Sequence, residues 1–201
     1  MNNYCTLYIV RHGQTDWNLN GLTQGQTDIP LNETGIKQAS EMAEKLKSIH
    51  FDAVFSSDLI RAKRTAEIIT LEKNLAVQTT KLLRERLYGE QEGRNEKILD
   101  NLYETWKKLN KKEKEKYRPL KEFETDGELT TRFITFLREV AVGHSGKTVL
   151  VVTHGGIMRA LLNRLSEETY YSGSISNLAY IKIETDSVDF FIKQLHGIKN
   201  V

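Results

Sequence analysis

A single cysteine among 201 residues excludes an intramolecular disulfide and agrees with a reducing compartment. No run of about 18 apolar residues is present, so no membrane-spanning helix and no membrane partner are expected. Excess charge is equally scarce. Lys+Arg 29 against Asp+Glu 27 leaves +2, too little to argue for nucleic acid, so any anion must be bound locally. The opening MNNYCTLYIV carries no basic leader, long hydrophobic segment or small-residue cleavage site; export is not expected, and a cytoplasmic location is. What is there is ordinary for a water-soluble protein, 39% hydrophobic and 28% charged, in a length that fits one domain.

Short apolar runs recur along the chain. Thr6 to Val10 (TLYIV) is β-branched and aromatic and stops at Arg-His-Gly, the pattern of a buried strand followed by a turn. Ala53 to Phe55 and Thr148 to Val152 read the same way. Thr34 to Leu46 places Ile36, Ala39, Met42, Ala43 and Leu46 at helical spacing. Ser56-Ser57-Asp58 offers cap residues ahead of the helical LIRAKRTAEIIT, and GIMRALLNRL follows Thr153-His154-Gly155. Strands alternating with helices predict an α/β sandwich around a largely parallel sheet. The tail differs: Ala179 to Ile183 and Ser187 to Leu195 flank the turn signal Glu184-Thr185-Asp186 and predict an antiparallel hairpin. Lys107 to Lys121 sets eight Lys/Arg against Glu113 and Glu115 with little apolar periodicity. Within a single domain spanning 1–201, a lysine-rich helical insertion or flap is therefore expected around 95–125, either solvated or steering anionic substrates.

Three strand ends carry the reactive residues. VRHG, FSSDLIR and VTHG each leave a strand, and in open α/β sheets ligands sit beyond the strands' carboxyl ends, where turn amides and helix N-termini favour anions. Arg11, His12, Arg61 and His154 are thus expected in one pocket. Arg11 and Arg61 offer forked donors matched to phosphate oxygens. Their charge disfavours protonation of His12 and leaves a ring nitrogen free to attack phosphorus. His154 would donate to the phosphoryl group as charge develops, helped by the amides of Gly155 and Gly156. For the leaving alkoxide, Glu85 in LRERLYGEQEG is the best proton donor, a carboxyl that desolvation over the pocket would protonate; Glu90 and Glu92 compete, and spacing does not separate them. His50, His144 and His196 read as structural or surface residues.

Cys5 stands six places before Arg11 in a C-x5-R spacing, yet the interval TLYIV is an extended strand spanning roughly 20 Å, not a loop that cradles an anion. Cys5 is therefore read as a buried structural thiol. No H-x3-H, HExxH or aspartate cluster accompanies the histidines, so no metal is expected.

These residues resemble a known family, the histidine phosphatase superfamily, also called phosphoglycerate-mutase-like. LYIVRHGQTDWN is similar to its R-H-G-x-T-x-x-N signature, and LTQGQTDIPLNETGIKQA, FSSDLIRAKRTAEII, LRERLYGEQEG and VVTHGGIMRALL resemble its later segments, from Leu7 to Leu162. The resemblance implies a three-layer α/β/α sandwich with a mixed, mostly parallel central sheet. It implies His12 as the phosphorylated nucleophile, Arg11, Arg61 and His154 as the phosphate pocket, and Glu85 as proton donor. Asn18, Gln24 and Gly25 become phosphate or substrate contacts, with Tyr88 on the substrate side. No cofactor is implied. The expected partner is a small phosphorylated metabolite, bound by a monomer or homodimer.

Departures bear on the reaction. Mutases of the family hold a bisphosphorylated ligand with a longer insertion containing an adjacent arginine pair; here that region offers lysines and Arg118, and Gly156 stands where mutases carry a polar residue. The expected activity is therefore a metal-independent phosphatase working through a phosphohistidine, with a cofactor-dependent phosphoglycerate mutase as the alternative and a non-catalytic phospholigand-binding module behind it. Leu129 follows Gly127-Glu128 where the family carries serine. The substrate is not legible, because the discriminating residues lie in the variable insertion.

Overall fold

The computed structural model describes residues 4–166 and 173–199, with side chains for all of these except Ile98 and residues 100–103. The chain runs β1 (Cys5–Arg11), α1 (Asp16–Leu19), α2 (Glu33–Lys45), β2 (Ala53–Ser57), α3 (Ile60–Thr70), β3 (Val77–Thr80), α4 (Ile98–Lys107), α5 (Lys111–Lys116), α6 (Asp126–Gly143), β4 (Thr148–Thr153), α7 (Gly155–Leu165), β5 (Ile175–Thr185) and β6 (Phe190–Ile198).

The strands form one sheet in the order β3-β2-β4-β1-β5-β6. β1 to β4 run parallel, and β5 turns antiparallel beside β1 with β6 completing a hairpin. β1 and β4 are apolar almost throughout because both of their faces are covered, as parallel strands inside an α/β protein require. On one face α2 and α3 pack Met42, Leu46, Ala62, Ala66 and Ile69 against Tyr8, Val10, Val54, Leu150 and Val152. On the other, α6 and α7 pack Phe133, Leu137, Ile157, Met158 and Leu161 against Leu7, Ile9, Val149 and Val151. The mixed, mostly parallel α/β/α sandwich read from the sequence is the observed architecture.

Two elements differ from the sequence reading. β3, VQTT, was not expected, because a four-residue edge strand exposing Gln78 and Thr79 has neither the apolar run nor the alternation that marks a strand. In the hairpin β5 is longer than the expected Ala179 to Ile183 and β6 begins three residues later than the expected Ser187, and β5 is irregular, its register with β6 shifting between Ile175 and Tyr180.

Cys5 sits fully buried at the start of β1, paired with Thr185, at the opposite end of the strand from Arg11. Burial, aided by the charge of Asp52, pushes its thiol up to about 11; it remains a neutral packing group at physiological pH.

The turn after β1 is pressed against the first turn of α2. Asn32 caps that helix by accepting a hydrogen bond from the Gly35 amide at 2.9 Å, and a Cβ on Gly35 would lie 2.1 Å from the Gln14 carbonyl oxygen. Only glycine allows two backbones this close. Gly35→Ala is expected to destabilise the fold by about 1–3 kcal/mol through overpacking, read as a lowered urea midpoint. An unchanged midpoint would mean the turn is not held against α2.

Candidate active site

β1, β4 and β2 end at one edge of the sheet, and this edge gathers the reactive residues. Register pairs Arg11 with Thr153, and the His12 amide donates to the Thr153 carbonyl at 3.0 Å. The residues that leave the two strands next, His12 and His154, are therefore neighbours, with ring centroids 5.1 Å apart. Arg61 arrives from the first turn of α3 and is fully buried. The turn that carries His12 is fixed from two sides: Gly13 donates to Thr65 Oγ1 at 3.0 Å, and Asn177 Nδ2 donates to the His12 carbonyl at 3.0 Å.

A cavity of about 680 Å³ opens at this edge. Its wall includes Arg11, His12, Asn18, Gln24, Gly25, Arg61, Glu85, Tyr88 and Gly155, so these expected site residues come together. His154 is the exception: its ring is set against that of His12, 0% exposed, and is not part of the wall. Both of its ring nitrogens lack a hydrogen-bond partner, as do Arg11 Nε, Arg61 Nε and Gln24 Oε1. Buried polar atoms are rarely left unpaired; Arg11 Nε, Arg61 Nε, Gln24 Oε1, Thr23 Oγ1 and Arg159 Nε, five in the cavity wall, with the His154 ring set against His12, describe a site made for a polar ligand.

Burial first, then the charges of Arg61 and Arg11, holds His12 well below the ordinary histidine value. His154 is lowered in the same way, by burial, Arg61, His12, Arg11 and Arg132. Both imidazoles are thus neutral. In His12, Nδ1 lies 2.7 Å from the Gly13 carbonyl oxygen. That contact requires Nδ1 to carry the proton, so the lone pair sits on Nε2. Arg61 is pulled down to about 10, chiefly by burial, and stays charged at neutral pH.

These shifts carry a stability consequence. Between their folded values and the unfolded value near 6.5, the unfolded chain binds protons that the native chain refuses, so stability is full above that pH and falls below it. Each histidine contributes a loss of about 1.4 kcal/mol per pH unit in that window. Urea unfolding at pH 7.5 and 5.5 is expected to show the fall, with a shallower slope in His154→Gln. A flat profile in the native protein would contradict the buried neutral pair.

Two details differ from the sequence reading. Arg61 does not present a free fork: its Nη1 donates to the Thr27 carbonyl at 2.7 Å and its Nη2 to the Gly25 carbonyl at 2.6 Å, leaving Nε and the remaining protons for a ligand. Glu85 is also engaged. Its Oε2 accepts from the Gly156 amide at 2.8 Å and its Oε1 from the amides of Ile157 and Arg86 at 3.1 and 2.8 Å. The carboxyl thus caps α7 and occupies the Gly156 amide expected to assist the phosphoryl group, because free helix-start N–H groups attract the nearest acceptor.

Of the three candidate carboxyls, only Glu85 lines the cavity. Glu92 accepts from the Gln26 and Thr27 amides, Thr27 Oγ1 and the Tyr88 amide at 2.6–3.1 Å, and so ties two loops together. Glu90 is exposed. The Glu85 loop is clamped by arginines: Arg84 forms a bidentate pair with Asp58, and Arg132 pairs with Glu124 while donating to the Glu85 carbonyl. From the lysine-rich region, Glu96, Lys97 and Leu99 reach the cavity wall. The lysine run itself does not; α5 leans on the end of α7 through Glu115–Arg164 at 3.7 Å and Lys111 to the Ser166 carbonyl. Trp17 packs over Gly93, and Lys114 covers Trp106 at 4.6 Å.

Three wall residues carried no signal in the sequence. Ser174 and Asn177 flank the irregular start of β5, where Leu178 takes a left-handed φ of 57°. That conformation costs a leucine of order 1–3 kcal/mol and accompanies the turn of Asn177 toward Asn18, whose Oδ1 accepts from it at 3.2 Å. Arg159 is an ordinary polar position of an amphipathic helix by pattern alone.

The chain matches the model of the histidine phosphatase superfamily (branch 1) over residues 7–196. The protein belongs to that family. The uncharacterized phosphatase PhoE of Bacillus subtilis is 40% identical over 163 residues, covering 79% of this chain and 76% of its own. The metal-independent phosphoserine phosphatase of Arabidopsis thaliana is 37% identical over 174 residues, 80% of this chain and 68% of its own. Among solved structures, the mycobacterial glucosyl-3-phosphoglycerate phosphatase in complex with VO3 superposes with a TM-score of 0.81 at 26% identity, covering 96% of this chain and 99% of the other. Relatives similar to this chain in sequence and in shape thus include phosphatases.

Proposed function

We propose that the protein is a metal-independent phosphomonoesterase that hydrolyses a small phosphorylated metabolite through a phosphohistidine on His12. The observation that carries this reading is the buried pair of neutral imidazoles, His12 with its lone pair on Nε2 and His154 with both nitrogens unpartnered, between two guanidiniums. A relative named as a metal-independent phosphoserine phosphatase supports the absence of a metal requirement.

Arg11 and Arg61 draw the phosphate dianion into the cavity and neutralise it. His12 Nε2 attacks phosphorus as the ester P–O bond breaks, and His154, whose ring is set against that of His12, donates a hydrogen bond to a non-bridging oxygen once the phosphoryl group has moved onto the paired rings and charge accumulates. Glu85 gives its proton to the leaving alkoxide. Its Oε2 accepts a single amide, which leaves a lone pair on that oxygen for the proton. The resulting carboxylate then takes a proton from water, whose oxygen attacks the phosphohistidine; the N–P bond breaks, the pair returns to Nε2, and phosphate leaves. Gln24 and Asn18, which also line the cavity, orient the ester.

The test is release of inorganic phosphate from a panel of phosphomonoesters in the presence of a chelator, with isomer formation from 3-phosphoglycerate followed in parallel. Phosphate release unaffected by chelation supports the reading. Isomerisation without release, or loss of the rate on chelation, would overturn it.

A further inference from the structure

Arg61 enters the cavity with both terminal nitrogens already bound, to the carbonyls of Thr27 and Gly25. These acceptors stand in a turn that belongs to no helix or strand, so something else must hold them. The amides of the same turn run to Glu92. Gln26 N–H donates to Glu92 Oε1 at 3.0 Å and Thr27 N–H to Oε2 at 2.9 Å, joined there by the Thr27 hydroxyl at 2.6 Å. The Gly25 carbonyl and the Gln26 amide are the two ends of one peptide group. A guanidinium at its oxygen and a carboxylate at its hydrogen both lie along its dipole, and each bond strengthens the other. Arg61 and Glu92 are therefore an ion pair with a peptide group between them.

Three further observations converge on this carboxylate. Glu92 is half-buried, and no ion pair among the described residues includes it. A desolvated carboxylate is costly unless donors replace water, and the donors here come from the loops that build the cavity. Gly25 takes a left-handed φ of 52°, and a Cβ on it would lie 2.1 Å from Glu92 Oε1; the carboxylate comes this close only because residue 25 is glycine. Glu92 Oε1 also accepts from the amide of Tyr88 at 3.1 Å, three residues beyond Glu85 in the acid loop. One carboxylate outside the cavity wall thus sets the Arg61 acceptors and the acid loop against each other. Its charge reaches Arg61 as well, opposing the effect of burial on the guanidinium.

We propose that Glu92 is a positioning residue of the phosphate site: it touches no substrate and acts by holding the Gly25 and Thr27 carbonyls that aim Arg61 into the cavity. This rests on the phosphomonoesterase reading for the role of Arg61 and adds what fixes that guanidinium in place. The buried Nε of Arg61, which has no partner in the protein, is the donor whose direction Glu92 sets.

The experiment measures kcat/KM on p-nitrophenyl phosphate and calorimetric binding of inorganic phosphate, both well below the thermal midpoint of each protein. The proteins are wild type, Glu92→Gln, Arg61→Lys and the double variant. Glutamine removes the charge and turns an NH2 toward donors that now meet an acceptor. Misplacing a binding group by about 1 Å costs on the order of a hundredfold, so Glu92→Gln is expected to lower kcat/KM and phosphate affinity together by about ten- to a hundredfold. In the Arg61→Lys background the same change should cost kcat/KM less than about threefold, because groups that act as one unit are not additive. A purely structural Glu92 would lower the thermal midpoint and leave both quantities unchanged in the folded variant. That result would overturn the proposal, as would an equal loss in the two backgrounds. Thr27→Val withdraws the hydroxyl and keeps the backbone bonds; it should weaken phosphate by a smaller factor, and unchanged affinity there counts against the proposal even where Glu92→Gln does not fold. Weaker phosphate binding in Glu92→Gln sustains the positioning role where wild type hydrolyses no ester, a result that would sink the phosphatase reading alone.

Discussion

Replacing His12 by alanine is expected to lower phosphate release by about four orders of magnitude or more, with the fold intact. The size follows from the chemistry: removing a covalent nucleophile forces water to attack directly, and losses of this order accompany such replacements in enzymes that act through covalent intermediates. The fold should tolerate the change because the bonds that fix the turn run through the backbone and through other side chains. His12 contributes its amide to Thr153 and its carbonyl to Asn177, and Gly13 is held by Thr65. Removing a buried imidazole whose protonation is suppressed should also flatten the loss of stability below pH 6.5. The measurement is phosphate release by the variant at saturating substrate beside its thermal midpoint. An active His12→Ala would remove the nucleophile from the account.

The second large effect belongs to Glu85. Glu85→Gln is expected to lower turnover by about a hundred- to ten-thousandfold on alkyl phosphates, the usual contribution of a positioned proton donor. On p-nitrophenyl phosphate, whose phenolate leaves without help, the first step should survive and the second should not, since no carboxylate remains to deprotonate water. The signature is a burst of about one equivalent of nitrophenol followed by a slow phase. Glutamine also places an amide NH2 against the donors of Arg86, Gly156 and Ile157 that the carboxyl now accepts. Some loss of stability is expected on that account, and the burst separates the chemical role from the structural one. Slow turnover without a burst on the activated ester would argue that Glu85 serves α7 and not the reaction.

Much of this arrangement is legible in the sequence, and the reasons are local. TLYIV and TVLVV are strands because their β-branched residues are covered on both faces, and each is followed at once by a histidine and a glycine. A parallel register between them suffices to make His12 and His154 neighbours. Arg61 follows from a short strand running into a helix. Other features depend on contacts that no spacing expresses. Glu85 and Glu92 sit in the same loop with similar surroundings in sequence, and only the folded chain turns one into the cavity and the other onto the Gln26–Thr27 amides. Asn177 reaches the His12 turn through an irregularity in β5 that requires a left-handed leucine, a conformation nothing about Leu178 announces. Arg159 looks like any polar residue of an amphipathic helix until the helix is placed beside the cavity. The engagement of Glu85 with the start of α7 was hidden for the same reason, since the two segments are 71 residues apart.

The phosphohistidine is the central claim, and quenching the enzyme within a turnover of 32P-labelled substrate tests it most directly. Label is expected on the protein, lost in acid, kept in base, mapped to His12 and absent from His12→Ala. Label at another residue, or full turnover with no labelled protein at any quench time, would contradict it.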